Sequence, residues 1–139
     1  MDEQLSKLWS QIKWFKSEEF DDPTLKGSGS MMNIEFVKIL DELRSKCGFA
    51  LPIDSGYRCK DHNAAVGGKD DSAHMEADAA DILIPDSARR FMVVSEALKL
   101  GIKRIGIGAG FVHLDMSLTL PQGVIWLYPP LATPTNQKP

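Results

Sequence analysis

SAHMEADAAD, residues 72–81, decides how the second half of this chain is read. It sets His74, one of three histidines in the sequence, ahead of Glu76, Asp78 and Asp81. Such a stretch is either a charged loop that contains a histidine or half of a metal site completed from elsewhere. The neighbouring residues favour a defined place for its last acid. AADILIP, residues 79–85, is a short continuous apolar run of the kind that forms a buried strand. Asp81 then stands at that strand's mouth, just past a turn.

Working outward toward the C-terminus, Asp86 or Ser87 can cap a helix carrying Phe91, Val94, Ala97 and Leu98, which Gly101 ends. KRIGIGAGFVHLDMS, residues 103–117, reads as two strands around a turn at Gly110. GVIWLY, residues 123–128, reads as a final strand, and residues 129–139 as a loose tail. Toward the N-terminus, KDHNAAVGGKDDS is a short helix or turn running into a Gly-Gly loop, and ALPIDSGYR is a short strand. Phe36, Val37, Leu40, Leu43 and Cys47 form a helical stripe that Gly48 terminates. DDPTLKGSGS, residues 21–30, is turn chemistry. Leu5, Leu8, Trp9, Ile12 and Phe15 predict a first amphipathic helix. Helices therefore come first and strands late. This order predicts an α+β domain over residues 1–128, its N-terminal helices packed on a small, largely antiparallel sheet.

Composition narrows the function classes. A chain of 139 residues fits one domain and can bury a core without disulfides. Its net charge of −3 gives no electrostatic case for nucleic acid or an anionic membrane as partner. Two cysteines, Cys47 and Cys59, are too few for a disulfide framework. The acidic, amphipathic start MDEQLSKLWS is neither a secretory signal nor a membrane span. Synthesis in the cytoplasm is expected, with a monomer as the default state.

Catalytic zinc takes three protein ligands and leaves a fourth position for water. His74 and Asp81 form one candidate pair, and FVHLD, residues 111–115, offers His113 as a third. Residues two apart on a strand share a face, so Phe111, His113 and Asp115 point together while Val112 and Leu114 pack behind. A solvated loop histidine and a hydrogen-bonded core histidine explain the same positions, and spacing alone leaves the two readings balanced. His62 in DHN reads as a surface residue or as support behind the site.

Three segments together resemble a known family. SGYRCKDHNAAVGG (55–68), SAHMEADAADI (72–82) and GFVHLDM (110–116) resemble successive motifs of the zinc D-Ala-D-Ala carboxypeptidase and L-alanyl-D-glutamate endopeptidase family. That family includes bacteriophage endolysins and shares its metal-site fold with lysostaphin-type peptidases and the hedgehog signalling domain. Ser72, His74, Ala79 and Asp81 match its first zinc motif in order. The resemblance implies that His74, Asp81 and His113 bind Zn²⁺ and that a bound water is activated at neutral pH. It implies hydrolysis of a peptide bond in peptidoglycan stem peptides, by a D,D-carboxypeptidase or an endopeptidase. It further implies a phage or prophage lysis enzyme, released by a separate protein to act at the cell wall or periplasm. Arg58 looks like the family arginine that reaches substrate, its fork suited to a carboxylate, a carbonyl or a developing oxyanion. Ser72 is expected to help hold substrate or the loop.

Two positions depart from the family. Ala77 replaces a glycine, which alanine tolerates if φ is negative there. Gly110 and Phe111 stand where many relatives carry an acid or a histidine as general base. Asp115 is then the best candidate for the base, or else it orients a ligand histidine, with Glu76 and Asp78 as outside candidates on the loop. The missing acid also admits an alternative, a zinc-binding structural or virion-associated module of the same fold without catalysis.

Overall fold

A computed structural model describes residues 1–129, so the expected tail beyond Pro129 lies outside the described residues. Four helices are α1 (Glu3–Trp9), α2 (Ile34–Cys47), α3 (Lys60–Ala65) and α4 (Ser87–Lys99). Five strands are β1 (Ile53–Ser55), β2 (Ala79–Leu83), β3 (Arg104–Ile107), β4 (Phe111–Asp115) and β5 (Val124–Leu127). They make one sheet in the order β1-β2-β4-β3-β5. Pairing is antiparallel except for β3 with β5, which run parallel, so the expected α+β class with a largely antiparallel sheet holds.

The alternation of side chains along the strands divides the sheet into two faces. Ala80 and Ile82 of β2, Ile105 of β3, and Val112 and Leu114 of β4 enter one buried cluster. Phe36, Val37, Leu40 and Leu43 of α2 and Val93 and Ala97 of α4 complete it. Each of the large side chains contributes about 1.5–3 kcal/mol through burial. The other face carries Asp81, His113, Asp115, Arg104 and Trp126, and the site lies there.

Three local features differ from the expectations above. The first helix stops at Trp9, although Ile12 and Phe15 are still buried. Beyond it the backbone N–H groups of Lys13 and Trp14 bond the Asp41 carboxylate at 2.8 and 2.7 Å, so the segment is pinned to α2. On α4 the buried face runs through Val93 and Ala97, and Phe91 and Leu98 are exposed. Phe91 and Leu98 lie off the Val93–Ala97 line and miss the layer beneath.

The third difference is at Ala77, whose φ of 63° lies in the left-handed region. The negative φ expected of an alanine is not found. The residue is held by its neighbours: its carbonyl accepts Asn33 N at 2.9 Å, and Asn33 is the N-cap of α2. Asn33 also donates from Nδ2 to Asp78 at 2.8 Å. The loop bearing His74 is therefore tied to the start of α2 at Ala77 and Asp78, and Asp78, an outside candidate for the base, serves as a structural acceptor.

Candidate metal centre

Register brings the first two residues together. β2 and β4 pair so that Asp81 lies directly opposite His113, both on the same face. The loop before β2 folds back to deliver His74. His113 Nδ1 lies 2.9 Å and His74 Nε2 lies 3.3 Å from the same oxygen, Asp81 Oδ1. One ligand atom from each of the three lies within 4.8 Å of the other two.

The remaining nitrogens show what the inner ones can do. His74 Nδ1 is 2.7 Å from the carbonyl oxygen of Gly56, which can only accept, so Nδ1 carries the hydrogen. His113 Nε2 is 2.7 Å from Asp115 Oδ2, again an acceptor. With both outer nitrogens donating, two ring lone pairs and a carboxylate oxygen converge on one point. Three acceptors this close repel unless a cation lies among them. A divalent ion with His/Asp ligands fits this donor set, and the outer hydrogen bonds are of the kind that fix ligand histidines.

Electrostatics set the competition between a proton and an ion. Burial disfavours the Asp81 carboxylate, but the His113 and His74 rings against it outweigh burial and hold its pKa below the usual range, so it stands ready as an anionic ligand. Burial opposes charge on His113, yet Asp115 and Asp81 raise its pKa, so an ion bound here would displace a proton from its inner nitrogen. Asp115 is likewise held low against burial by the His113 bond, with Ser117 N and Arg104 contributing. This acid is 1% exposed and fully engaged: Oδ1 accepts Arg104 Nε at 2.8 Å and Ser117 N at 3.0 Å.

Arg58 approaches from the β1 side. Its Nη2 lies 3.7 Å from Asp81 Oδ2 and 3.2 Å from Ser55 Oγ, and its Nη1 donates to Asn63 Oδ1 at 2.9 Å. Its backbone N–H bonds the His74 carbonyl, which joins the arginine to the loop. Gly68 is required here, because a methyl group would collide with the Asn63 side chain and approach Arg58 Nη1. Arg58 Nε is buried without a partner among the described residues. Ser72 Oγ accepts His74 N at 3.2 Å and so shapes the loop. Glu76 is exposed on that loop and is not one of the three residues whose ligand atoms converge. His62 lies apart from the three, 3.2 Å from Asp22, whose buried carboxylate also accepts Cys59 N at the start of α3.

On the β5 side stands an aromatic wall to which sequence patterning assigns no role. Trp126 and Tyr128 rings lie 5.3 and 6.3 Å from the His113 ring, and Phe111 lies 5.0 Å from Tyr128. Arg104 stacks 4.8 Å over Trp126. The available signal is the period-two spacing of Val124, Trp126 and Tyr128. Which face they occupy depends on parallel pairing with β3, which no local pattern reports.

A model of the family described as Peptidase M15 matches residues 13–115, well over half of the chain. The match spans Arg58, His74, Asp81, His113 and Asp115 and ends before Trp126 and Tyr128. No curated protein matches the chain.

Proposed function

The chain belongs to the Peptidase M15 family and is a zinc metallopeptidase, and from that premise we propose that it hydrolyses a peptide bond in the stem peptides of bacterial peptidoglycan. The bond is either the terminal D-Ala-D-Ala link or an internal L-Ala-D-Glu-type link. The observation that carries this reading is the convergence of His74 Nε2, Asp81 Oδ1 and His113 Nδ1, each ring nitrogen freed by a hydrogen bond on its far side.

We assign zinc binding to these three residues. Bound zinc polarises a carbonyl and lowers the pKa of a water molecule toward about 7. The chain's other residues hold and orient. Asp115 fixes the His113 ring and its tautomer, and is itself fixed by Arg104 and Ser117. With both oxygens engaged and almost no exposure, Asp115 is assigned to positioning, not to proton transfer. Arg58 presents its fork beside Asp81 and is assigned to the substrate carbonyl or carboxylate. Ser72 is assigned to the loop that carries His74.

The resemblance to endolysins supports use in phage or prophage lysis, with action at the cell wall or periplasm. No helix among the described residues is long and apolar enough to cross a membrane. The absence of an acid at Gly110 favours a second reading, a zinc-binding module without catalysis. Incubating purified peptidoglycan with the zinc-loaded protein separates the two. New amino or carboxyl termini, abolished by His113→Ala, are expected. Their absence while zinc is bound would reject the enzymatic reading.

A further inference from the structure

The sheet order places the metal-site residues of β2 and β4 between two flanks. Arg58 follows β1 at one end of the sheet, and Tyr128 follows β5 at the other. The β3–β5 register sets Trp126 opposite Gly106, and Gly106 is opposite His113 on β4. Tyr128 continues the same alternation, its backbone N–H bonded to the Ile107 carbonyl at 2.9 Å. Trp126 and Tyr128 thus share the face that bears His113.

Gly106 makes this arrangement possible. A Cβ there would come within 2.5 Å of Tyr128 Cε2 and 2.7 Å of Trp126 Nε1. Without a side chain at 106, both rings lie down over β3 toward His113. Phe111 supports Tyr128 from β4, and Arg104 stacks on Trp126, so the wall is held on both sides. Tyr128 is half-buried, with its ring fixed by these neighbours. A tyrosine hydroxyl ordinarily ionises at about pH 10, so it is a hydrogen donor through the neutral range. A tyrosine whose ring is fixed 6.3 Å from that of His113 can offer its hydroxyl to a substrate oxygen.

We propose that Tyr128 is a further catalytic residue, which contacts the stem peptide from the β5 side and donates its hydroxyl hydrogen to the oxygen of the scissile carbonyl as that oxygen gains charge. Trp126 and Phe111 form the apolar wall behind it, against which the small side chain next to the cut bond rests. Substrate then lies across the sheet face between Arg58 and Tyr128. This inference rests on the peptidoglycan reading above and extends it.

The test compares wild type, Tyr128→Phe and Asp81→Ala, with kcat and KM measured on a soluble stem pentapeptide and on purified peptidoglycan. Zinc content and the unfolding midpoint are measured on the same preparations. Tyr128→Phe is expected to keep its zinc and its midpoint while kcat falls about 10- to 100-fold and KM changes little, as for loss of one donor to a developing oxyanion. A merely packing role would move the midpoint and leave kcat. If wild type cuts the substrate and Tyr128→Phe matches it in kcat and KM, the inference is overturned and the peptidoglycan reading stands. If zinc-loaded wild type, like Asp81→Ala, cuts neither substrate, the peptidoglycan reading falls and this inference falls with it.

Discussion

Asp115 grips His113 Nε2 at 2.7 Å through one carboxylate oxygen while Arg104 Nε holds its other oxygen at 2.8 Å. The three groups form a chain that runs across β3 and β4 and ends at the ring of His113, a proposed zinc ligand. Residues that orient a ligand histidine typically matter about 10- to 100-fold in metal affinity. Asp115→Asn is therefore expected to weaken zinc binding by about that factor, as read by competition with a chelating dye. Unchanged zinc affinity together with lost activity would instead return Asp115 to the role of proton acceptor.

Zinc should also stabilise the fold. A ligand that binds only the native state adds about 4 kcal/mol at a thousand times its dissociation constant. Stripping zinc with a chelator is expected to lower the thermal midpoint, and adding it back should restore the original value. His74→Ala and His113→Ala should show neither response. A midpoint indifferent to chelator in the wild type would contradict the assignment of the three ligands.

How far the sequence reaches can be seen in β4. The alternation in FVHLD correctly separates His113 and Asp115 from Val112 and Leu114, because a strand's two faces are a local property. It cannot report that Asp81 lies opposite His113, or that Arg104 lies opposite Asp115, because register is decided by tertiary pairing. Trp126 and Tyr128 stay hidden for the same reason. The shortened α1 is unreadable too, since its end depends on Asp41, a residue distant in sequence that captures two backbone N–H groups. Helix α2 is legible in its stripe and its Gly48 terminus, which lie within one short segment.

Asp22 offers a test of how α3 is held behind Arg58. Its carboxylate is fully buried and accepts Thr24 N, Thr24 Oγ1 and Cys59 N. Burial works to raise its pKa, but these bonds prevail and depress it far below the ordinary 3.8. A depressed carboxylate stabilises the fold above its unfolded pKa, and that contribution is lost as pH falls through lower values. Wild-type stability is expected to decline below about pH 4, and Asp22→Asn should be less stable at neutral pH by about 1–3 kcal/mol with a flatter acid limb. Parallel acid limbs in urea unfolding would show that Asp22 is not the group responsible.

Ala77 carries a measurable strain. A left-handed conformation costs an L-residue about 1–2 kcal/mol, while its buried methyl returns up to about 0.8 kcal/mol. Ala77→Gly should therefore match or exceed wild-type stability by up to about 1 kcal/mol. Ala77→Val should lose stability, because a β-branched residue is poorly accommodated at this φ of 63°. Equilibrium unfolding of the two variants decides the point. A clear loss in the glycine variant would mean that the methyl's packing outweighs the strain.

The central claim, that this zinc site cuts peptidoglycan stem peptides, is tested most directly by mass analysis of muropeptides after digestion with the zinc-loaded protein. Products shortened by a terminal residue, or split within the stem, should appear with wild type and vanish with His113→Ala. The masses also identify the bond. Muropeptides identical to the undigested control, from protein carrying one zinc per chain, would contradict the account.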